Sequence, residues 1–316
     1  MPGIRALIAG PLYHGAPNAF GIRTGRVAEL IVSMPRYDSE ELLRLIERHR
    51  ITNVFMVPTM FVRMMKLPAD VRAKYDVSSL KRVITAAAPC PPEVKKAMID
   101  WWGPIIDEFY AATEISYMTA CNSAESLAKP GTVGRRLPGV TMKALDDDGN
   151  EMPAGEPGEL YGKLDLCPDF TYHNRDDERQ AIEIGGLVSC GDVGYFDEDG
   201  YLFLCDRKKD LVISGGVNIY PAEIEAELVG MPGVADCAVF GIPDAEFGEK
   251  LMAVVQPDAE GTLEADAVTA FLRGRMAGFK VPRVVEFRAA LPRDDSGKIY
   301  KRLIRDEYWK QSGQRI

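Results

Sequence analysis

The residues of this 316-residue chain that could do chemistry are few in kind. The three histidines, His14, His49 and His173, stand at no metal-ligand spacing, and the six cysteines include no C-x-x-C pair. Neither a zinc site nor a Ser-His-Asp arrangement is expected. "SGKIY" at 296–300 lacks the leading glycine and terminal hydroxyl of a Walker A loop. The acidic turns "DDDGN" and "DEDG" lack the alternating ligands of a calcium loop and read as hairpin turns. Carboxylates, cations and backbone remain. Asp206, Arg207, Lys208, Lys209 and Asp210 are five consecutive charges at the exit of an expected strand at 200–204, with Gly215, Gly216 and a helix opened by Pro221 close behind. Such a run is ordinarily a solvated linker, but strand exits are also where side chains meet ligands. Taken singly, Asp192 reads as a turn acceptor, Thr113 with Glu114 as a helix start, and Lys298 as a solvated loop lysine.

The elements that must position these residues fall into three zones. From residue 1 to about 128, apolar runs ("RALIAG", "ITNVFMV", "KRVITAAA", "PIIDEFY") alternate with amphipathic helical patterns at 38–50, 60–65 and 91–102. That alternation predicts a mostly parallel sheet covered by helices, an α/β subdomain. Asp38 with Glu41 predicts a capping box, followed by Leu42, Leu43, Ile46 and His49 at helical spacing. Residues 129–205 carry Gly-rich turns between short strand-like runs, which predicts antiparallel hairpins and a small β-barrel. Residues 206–316 return to a mixed α/β pattern, with a domain boundary expected near Asp206. A composition of 46% hydrophobic and 27% charged residues provides ample core for such an arrangement. The net charge of −9, without a long basic run, gives no electrostatic support for a nucleic-acid partner. The one apolar run near the start is short and broken by Gly and Pro, so no signal or transmembrane segment is expected, and the scattered cysteines suit a reducing cytoplasm.

Four separated segments then line up in one order: "AAAPCPPEV" (86–94), "EFYAATE" (108–114), "SCGDVGYFDEDGYLFLCDRKKD" (189–210) and "PRDDSGKIYKR" (292–302). Together they resemble the adenylate-forming family of acyl-CoA synthetases, luciferases and peptide-synthetase adenylation domains. The resemblance implies ATP/AMP binding, Mg²⁺, and CoA as co-substrate. Ala87, Ala88 and Pro89, with Glu108, Phe109 and Tyr110, would receive the adenine, small residues at a strand's end letting a flat ring lie against backbone. Tyr110 would supply the stacking face. By the same resemblance Thr113 contacts phosphate, Glu114 helps hold Mg²⁺, Asp192 binds the ribose hydroxyls, and Arg207 contacts ribose and phosphate. Asp206 would be the hinge of a mobile C-terminal domain, and Gly215 and Gly216 would serve the thioester side. Lys298 would stabilise negative charge between the substrate carboxylate and the α-phosphate.

The wording of these segments looks most like fatty-acid and bile-acid-type CoA ligases. The segment "GPLYHGAPNAF" offers no acid to pair with an amino-acid ammonium, so a hydrophobic carboxylic acid is expected beside His14, which reads equally as a core histidine. The Ser/Thr/Gly-rich phosphate loop that family members carry upstream of that segment has no counterpart. An N-terminally truncated form of the fold is therefore expected, either inactive alone or complemented by a second chain, and prone to self-association through exposed apolar surface. Three classes stay open: an active AMP-forming ligase, an adenylate-binding homologue without catalysis, and an interaction protein on an old ligase scaffold.

Overall fold

The structure, a computed structural model, describes residues 3–258, 263–293 and 299–312. The chain divides into two compact units, Met1–Leu204 and Cys205–Ile316. In the first, five parallel strands form one half of a sheet: β1 (Ile4–Ile8), β2 (Ala28–Ser33), β3 (Asn53–Met56), β4 (Arg82–Thr85) and β5 (Ile106–Ala112), in the order β2-β1-β3-β4-β5. The half-buried strands need cover, and the helix Ser39–His49 supplies it by turning Leu42, Leu43, Leu45 and Ile46 into the core with Val54, Met56 and Ile106. Asp38 caps that helix, accepting from Glu41 N at 2.8 Å. Only half of the expected capping box forms, because the Glu41 carboxylate is taken by Arg44 in a bidentate pair one turn on.

Three elements of this half are not evident in the sequence: the helices Gly15–Gly25 and Ala69–Lys74, and strand β2. The helix Gly15–Gly25 carries glycines at both ends and a proline near its start, which blur its apolar periodicity. Strand β2, at the sheet edge, alternates half-buried and exposed residues.

The sheet continues without a break into the second zone through β6 (Ser116–Cys121), β7 (Thr132–Arg136), β8 (Val140–Leu145), β9 (Gly158–Leu164), β10 (Glu183–Ile184), β11 (Leu187–Phe196) and β12 (Tyr201–Arg207). The order is β5-β6-β7-β12-β11-β9-β8, with β10 beside β11. The β5–β6, β6–β7, β7–β12, β9–β11 and β8–β9 pairs are antiparallel, and of these β8–β9 is a hairpin that the Gly-rich turns of 129–205 predict. This half curls around its own core of Tyr110, Met118, Met142, Leu160, Val188 and Leu202.

Between β6 and β7 the helix Ser123–Ala128 opens with a complete capping box. The Asn122 side chain accepts from Glu125 N at 3.0 Å, and the Glu125 carboxylate accepts from Asn122 N at 2.9 Å. Asn122→Ala is expected to cost about 1 kcal/mol in urea denaturation, the usual worth of an N-cap; an unchanged midpoint would show the box to be idle.

The second unit is built on β13 (Val212–Ser214), β14 (Val217–Ile219), β15 (Val234–Asp244), β16 (Gly248–Pro257) and β17 (Val284–Phe287), in the order β14-β13-β16-β15 with β17 beside β16. Alternation along β15 and β16 sends Val239, Ala253 and Val255 to one face, where the helices Pro221–Val229 and Ala265–Arg273 add Ile224, Leu228, Val268 and Leu272. The other face presents Phe240, Met252 and Val254 to Ile304 of the helix Lys301–Ser312. Among the described residues no helix is long and apolar enough to cross a membrane.

Candidate active site

Because β1, β3, β4 and β5 are parallel, the segments that follow them leave the sheet at one edge, the ordinary position of a ligand site in an open α/β sheet. His14 lies beyond β1, Ala87–Pro89 beyond β4, and Thr113 and Glu114 beyond β5. Ala86 is buried against Ile8, Phe20 and Phe55, whereas Ala87, Ala88 and Pro89 are exposed and form an open backbone shelf. Ala87 holds φ at +78°, a left-handed conformation that costs a residue with a Cβ and persists only where its surroundings impose it. His14 is half-buried at the N-cap of the helix Gly15–Gly25, its ring 4.6 Å from that of exposed Tyr13.

Strand β5 sorts its residues by the period of two. Phe109 faces the side of the sheet that carries Phe55 and Tyr117, with ring centroids 6.5 and 4.8 Å away. Tyr110 faces the other side and is 6% exposed. Its hydroxyl donates to Asp192 Oδ2 at 2.6 Å and lies 3.1 Å from Cys190 Sγ. The structure thus joins Tyr110 and Asp192, two expected site residues 82 positions apart. Burial, followed by the neighbouring Cys190 and Asp192 charges, pushes the Tyr110 phenol far up, so it stays a donor. The Cys190 thiol, raised to about 12 chiefly by burial, stays protonated. Cys190 has no sequence signal beyond its place two residues before Asp192.

Thr113 and Glu114 sit in the turn between the antiparallel strands β5 and β6 and open no helix. Thr113 is exposed, and Glu114 accepts from the Tyr172 hydroxyl at 3.0 Å. Tyr172 is a further neighbour of the site that sequence reasoning missed, since it lies in an irregular loop with no motif around it.

Glu108 is placed differently from a ligand contact. Its side chain is 3% exposed and ion-paired with Lys95, itself 4% exposed, of the helix Pro92–Trp102. Burial pushes the Glu108 carboxyl up; for Lys95 burial is the largest influence and acts downward, and the Glu108 charge and hydrogen bond together with Cys90 and Cys121 more than offset it.

In the second unit Asp206 is tied into its own surroundings. Its carboxylate accepts from Arg207 N at 2.7 Å and from Ala222 N at 2.8 Å, so it caps the helix that Pro221 opens. Burial raises the Asp206 carboxyl, partly offset by the Lys301 charge. Arg207 is exposed. Gly215 and Gly216, at φ +57° and +79°, are the two-residue turn of the β13–β14 hairpin. Gly185 and Gly186 repeat those angles, +57° and +79°, between β10 and β11, so a hairpin turn alone accounts for a Gly-Gly pair in this fold. Lys298 lies outside the described residues.

The sequence model for the AMP-binding enzyme family matches residues 5–163, half of the chain, and that for the AMP-binding enzyme C-terminal domain matches residues 223–298. The chain belongs to the adenylate-forming, AMP-binding enzyme family. The shelf, Tyr110, Thr113 and Glu114 fall in the first match and Lys298 in the second, while Asp192, Asp206, Arg207, Gly215 and Gly216 lie between the two. Among curated relatives in the family, feruloyl-CoA synthase of Amycolatopsis sp is 36% identical over 310 residues, 96% of this chain and 62% of that protein. A long-chain-fatty-acid–CoA ligase of Bacillus subtilis is 33% identical over 280 residues, 88% of this chain and 49% of the relative. Among solved structures, ATP-bound MatB from Rhodopseudomonas palustris superposes with a TM-score of 0.84 at 31% identity, over 98% of this chain and 61% of that one. MenE from Bacillus subtilis with an acyl-adenylate intermediate gives 0.81 at 29% identity, over 96% and 61%. The chain therefore spans less than two thirds of these adenylate-forming relatives.

Proposed function

We propose that the chain carries the nucleotide site of an AMP-forming ligase that joins a hydrophobic carboxylic acid, of the fatty or aryl type, to CoA. The observation that supports it most is the Tyr110–Asp192 pair at the sheet edge that bears the exposed Ala87–Pro89 shelf. A flat base can lie on open backbone there, and a carboxylate oriented by a phenol can accept two ribose hydroxyls. Phe109 lines the same strand. In the first half-reaction a substrate carboxylate oxygen attacks the α-phosphorus of ATP and pyrophosphate leaves; in the second, CoA thiolate attacks the acyl carbon and AMP leaves. Thr113, exposed in the β5–β6 turn, is free to meet phosphate oxygens. Glu114 supplies a carboxylate of the hard oxygen type that Mg²⁺ prefers, and one or two such ligands suffice when substrate phosphates complete the shell. Arg207 contributes positive charge, Asp206 is the pivot between half-reactions, the Gly215–Gly216 turn borders the thiol side, and His14 borders the acyl pocket.

This reading draws the relatives' names onto the chain, feruloyl-CoA synthase and long-chain-fatty-acid–CoA ligase among them. All six cysteines are unbridged, which suits a reducing compartment such as the cytoplasm. Apolar side chains exposed around the edge, Leu12, Tyr13, Ile22, Val27 and Ile31, favour self-association or cover by a complementing segment.

Calorimetric titration with AMP and pyrophosphate exchange with ATP test the proposal together. AMP is expected to bind, and Asp192→Ala to weaken it by roughly tenfold or more, the worth of a hydrogen bond to a charged group. Binding without exchange would leave an adenylate-binding homologue, and no binding of AMP would refute the nucleotide reading.

A further inference from the structure

We infer that Lys95 and Glu108 are positioning residues of the nucleotide site, a buried pair that fixes the Ala87–Pro89 shelf relative to Tyr110; the inference rests on the nucleotide reading above. Lys95 belongs to the helix Pro92–Trp102, which begins three residues after the shelf ends, and Glu108 stands two residues before Tyr110 on β5. Their ion pair therefore ties the element that leaves the shelf to the strand that presents the tyrosine. Register places Glu108 beside Thr85, the last residue of β4 before the shelf, on one side and Cys121 of β6 on the other. Thr85 is fully buried, and its hydroxyl has no hydrogen-bond partner among the described groups. The polar cluster is thus sealed beneath the shelf and makes no direct approach to a ligand.

Stability alone does not explain the pair. Desolvating two charges costs about as much as their attraction returns, and well-packed apolar residues of similar volume commonly serve as well or better. What the pair does supply is a directional constraint beside a strained backbone position. Ala87 at φ +78° must be held by its surroundings, and the segment from Ala86 to Pro91 is pinned by β4 at one end and by the helix carrying Lys95 at the other. Releasing the second pin lets the shelf relax away from the geometry a base requires. Misplacement of about 1 Å is enough to cost a site much of its function.

The test is the double variant Lys95→Met/Glu108→Met in the chain as it stands, with thermal unfolding, AMP titration and amide hydrogen exchange measured on both proteins. The expected result is an unfolding midpoint equal to or above the parent's, AMP affinity lowered on the order of tenfold, and faster exchange confined to residues 86–91 and 108–112. Unchanged affinity and exchange in a stable double variant would overturn the inference. So would failure of the double variant to fold, because the pair would then serve the core. If the parent itself binds no AMP, the nucleotide reading fails separately, and the exchange comparison alone decides whether the pair holds the shelf.

Discussion

Lys298→Ala is expected to lower acyl-adenylate formation by a factor on the order of 10² to 10³, the usual loss when a preorganised group aimed at developing charge is removed. Thioester formation from supplied acyl-adenylate should stay close to the parent rate, because the role given to Lys298 lies in joining the carboxylate to the α-phosphorus, whereas the thiol attacks the acyl carbon. The described residues on either side of Lys298 are joined by the Arg293–Ile299 bridge and by Tyr300 N donating to Pro292 O at 2.9 Å. Arg293 is anchored further by Asp236 at 2.8 Å and by Gln256 at 3.3 Å. Single-turnover assays of each half-reaction would check this expectation. Equal loss in both half-reactions would refute the role.

Much of this architecture was legible because periodicity and turn chemistry are local. The strands β4 and β5, the helix opened by Pro221, and the long β15–β16 pair follow from apolar runs bounded by Gly, Pro and Asp. The shelf and the Tyr110–Asp192 pairing were legible in part, since the four-segment order named the residues while only folding shows the phenol on the carboxylate. What stayed hidden depends on partners distant in sequence. Nothing in "PPEVKK" marks Lys95 as buried, and nothing in "EFY" turns Glu108 inward; a strand residue's face is fixed by register, which the sequence of one strand does not carry. Asp206 shows the same limit. A charged run reads as a swivel, and the fold shows a duty the run does not announce, since the Asp206 carboxylate caps the helix at Pro221. Asp206→Pro would therefore fix φ and remove a cap at once, so its effect is read beside that of Asp206→Ala, which removes the cap and leaves φ free.

Lys301→Met should destabilise the second unit by about 2 to 4 kcal/mol at neutral pH, because breaking a largely buried pair leaves its partner charge uncompensated. Lys301 Nζ lies 2.7 Å from Glu225 Oε1, with side-chain exposures of 22% and 18%. The same Oε1 accepts from Val239 N at 2.7 Å, and the Lys301 charge also acts on Asp206. Burial raises both the Glu225 and the Asp206 carboxyls, and Lys301 is the chief group pulling each back down. An acid whose folded pKa lies above its unfolded value contributes stability that is complete below the unfolded pKa, about 4, and lost as pH rises through the folded one. Without Lys301 both folded pKa values rise further, so the deficit of the variant is largest near pH 7 and shrinks as pH falls toward about 4, where both acids bind protons in either state. Trp309, the one tryptophan of the second unit, donates to Gly241 O at 3.0 Å and reports on this unit's unfolding by fluorescence. Adding Glu225→Gln to Lys301→Met should recover most of the loss, since the buried charge goes with it. A single-variant cost that is the same at pH 4 and pH 7, with no recovery in the double variant, would mean that Lys301 contributes packing of its stem and not charge.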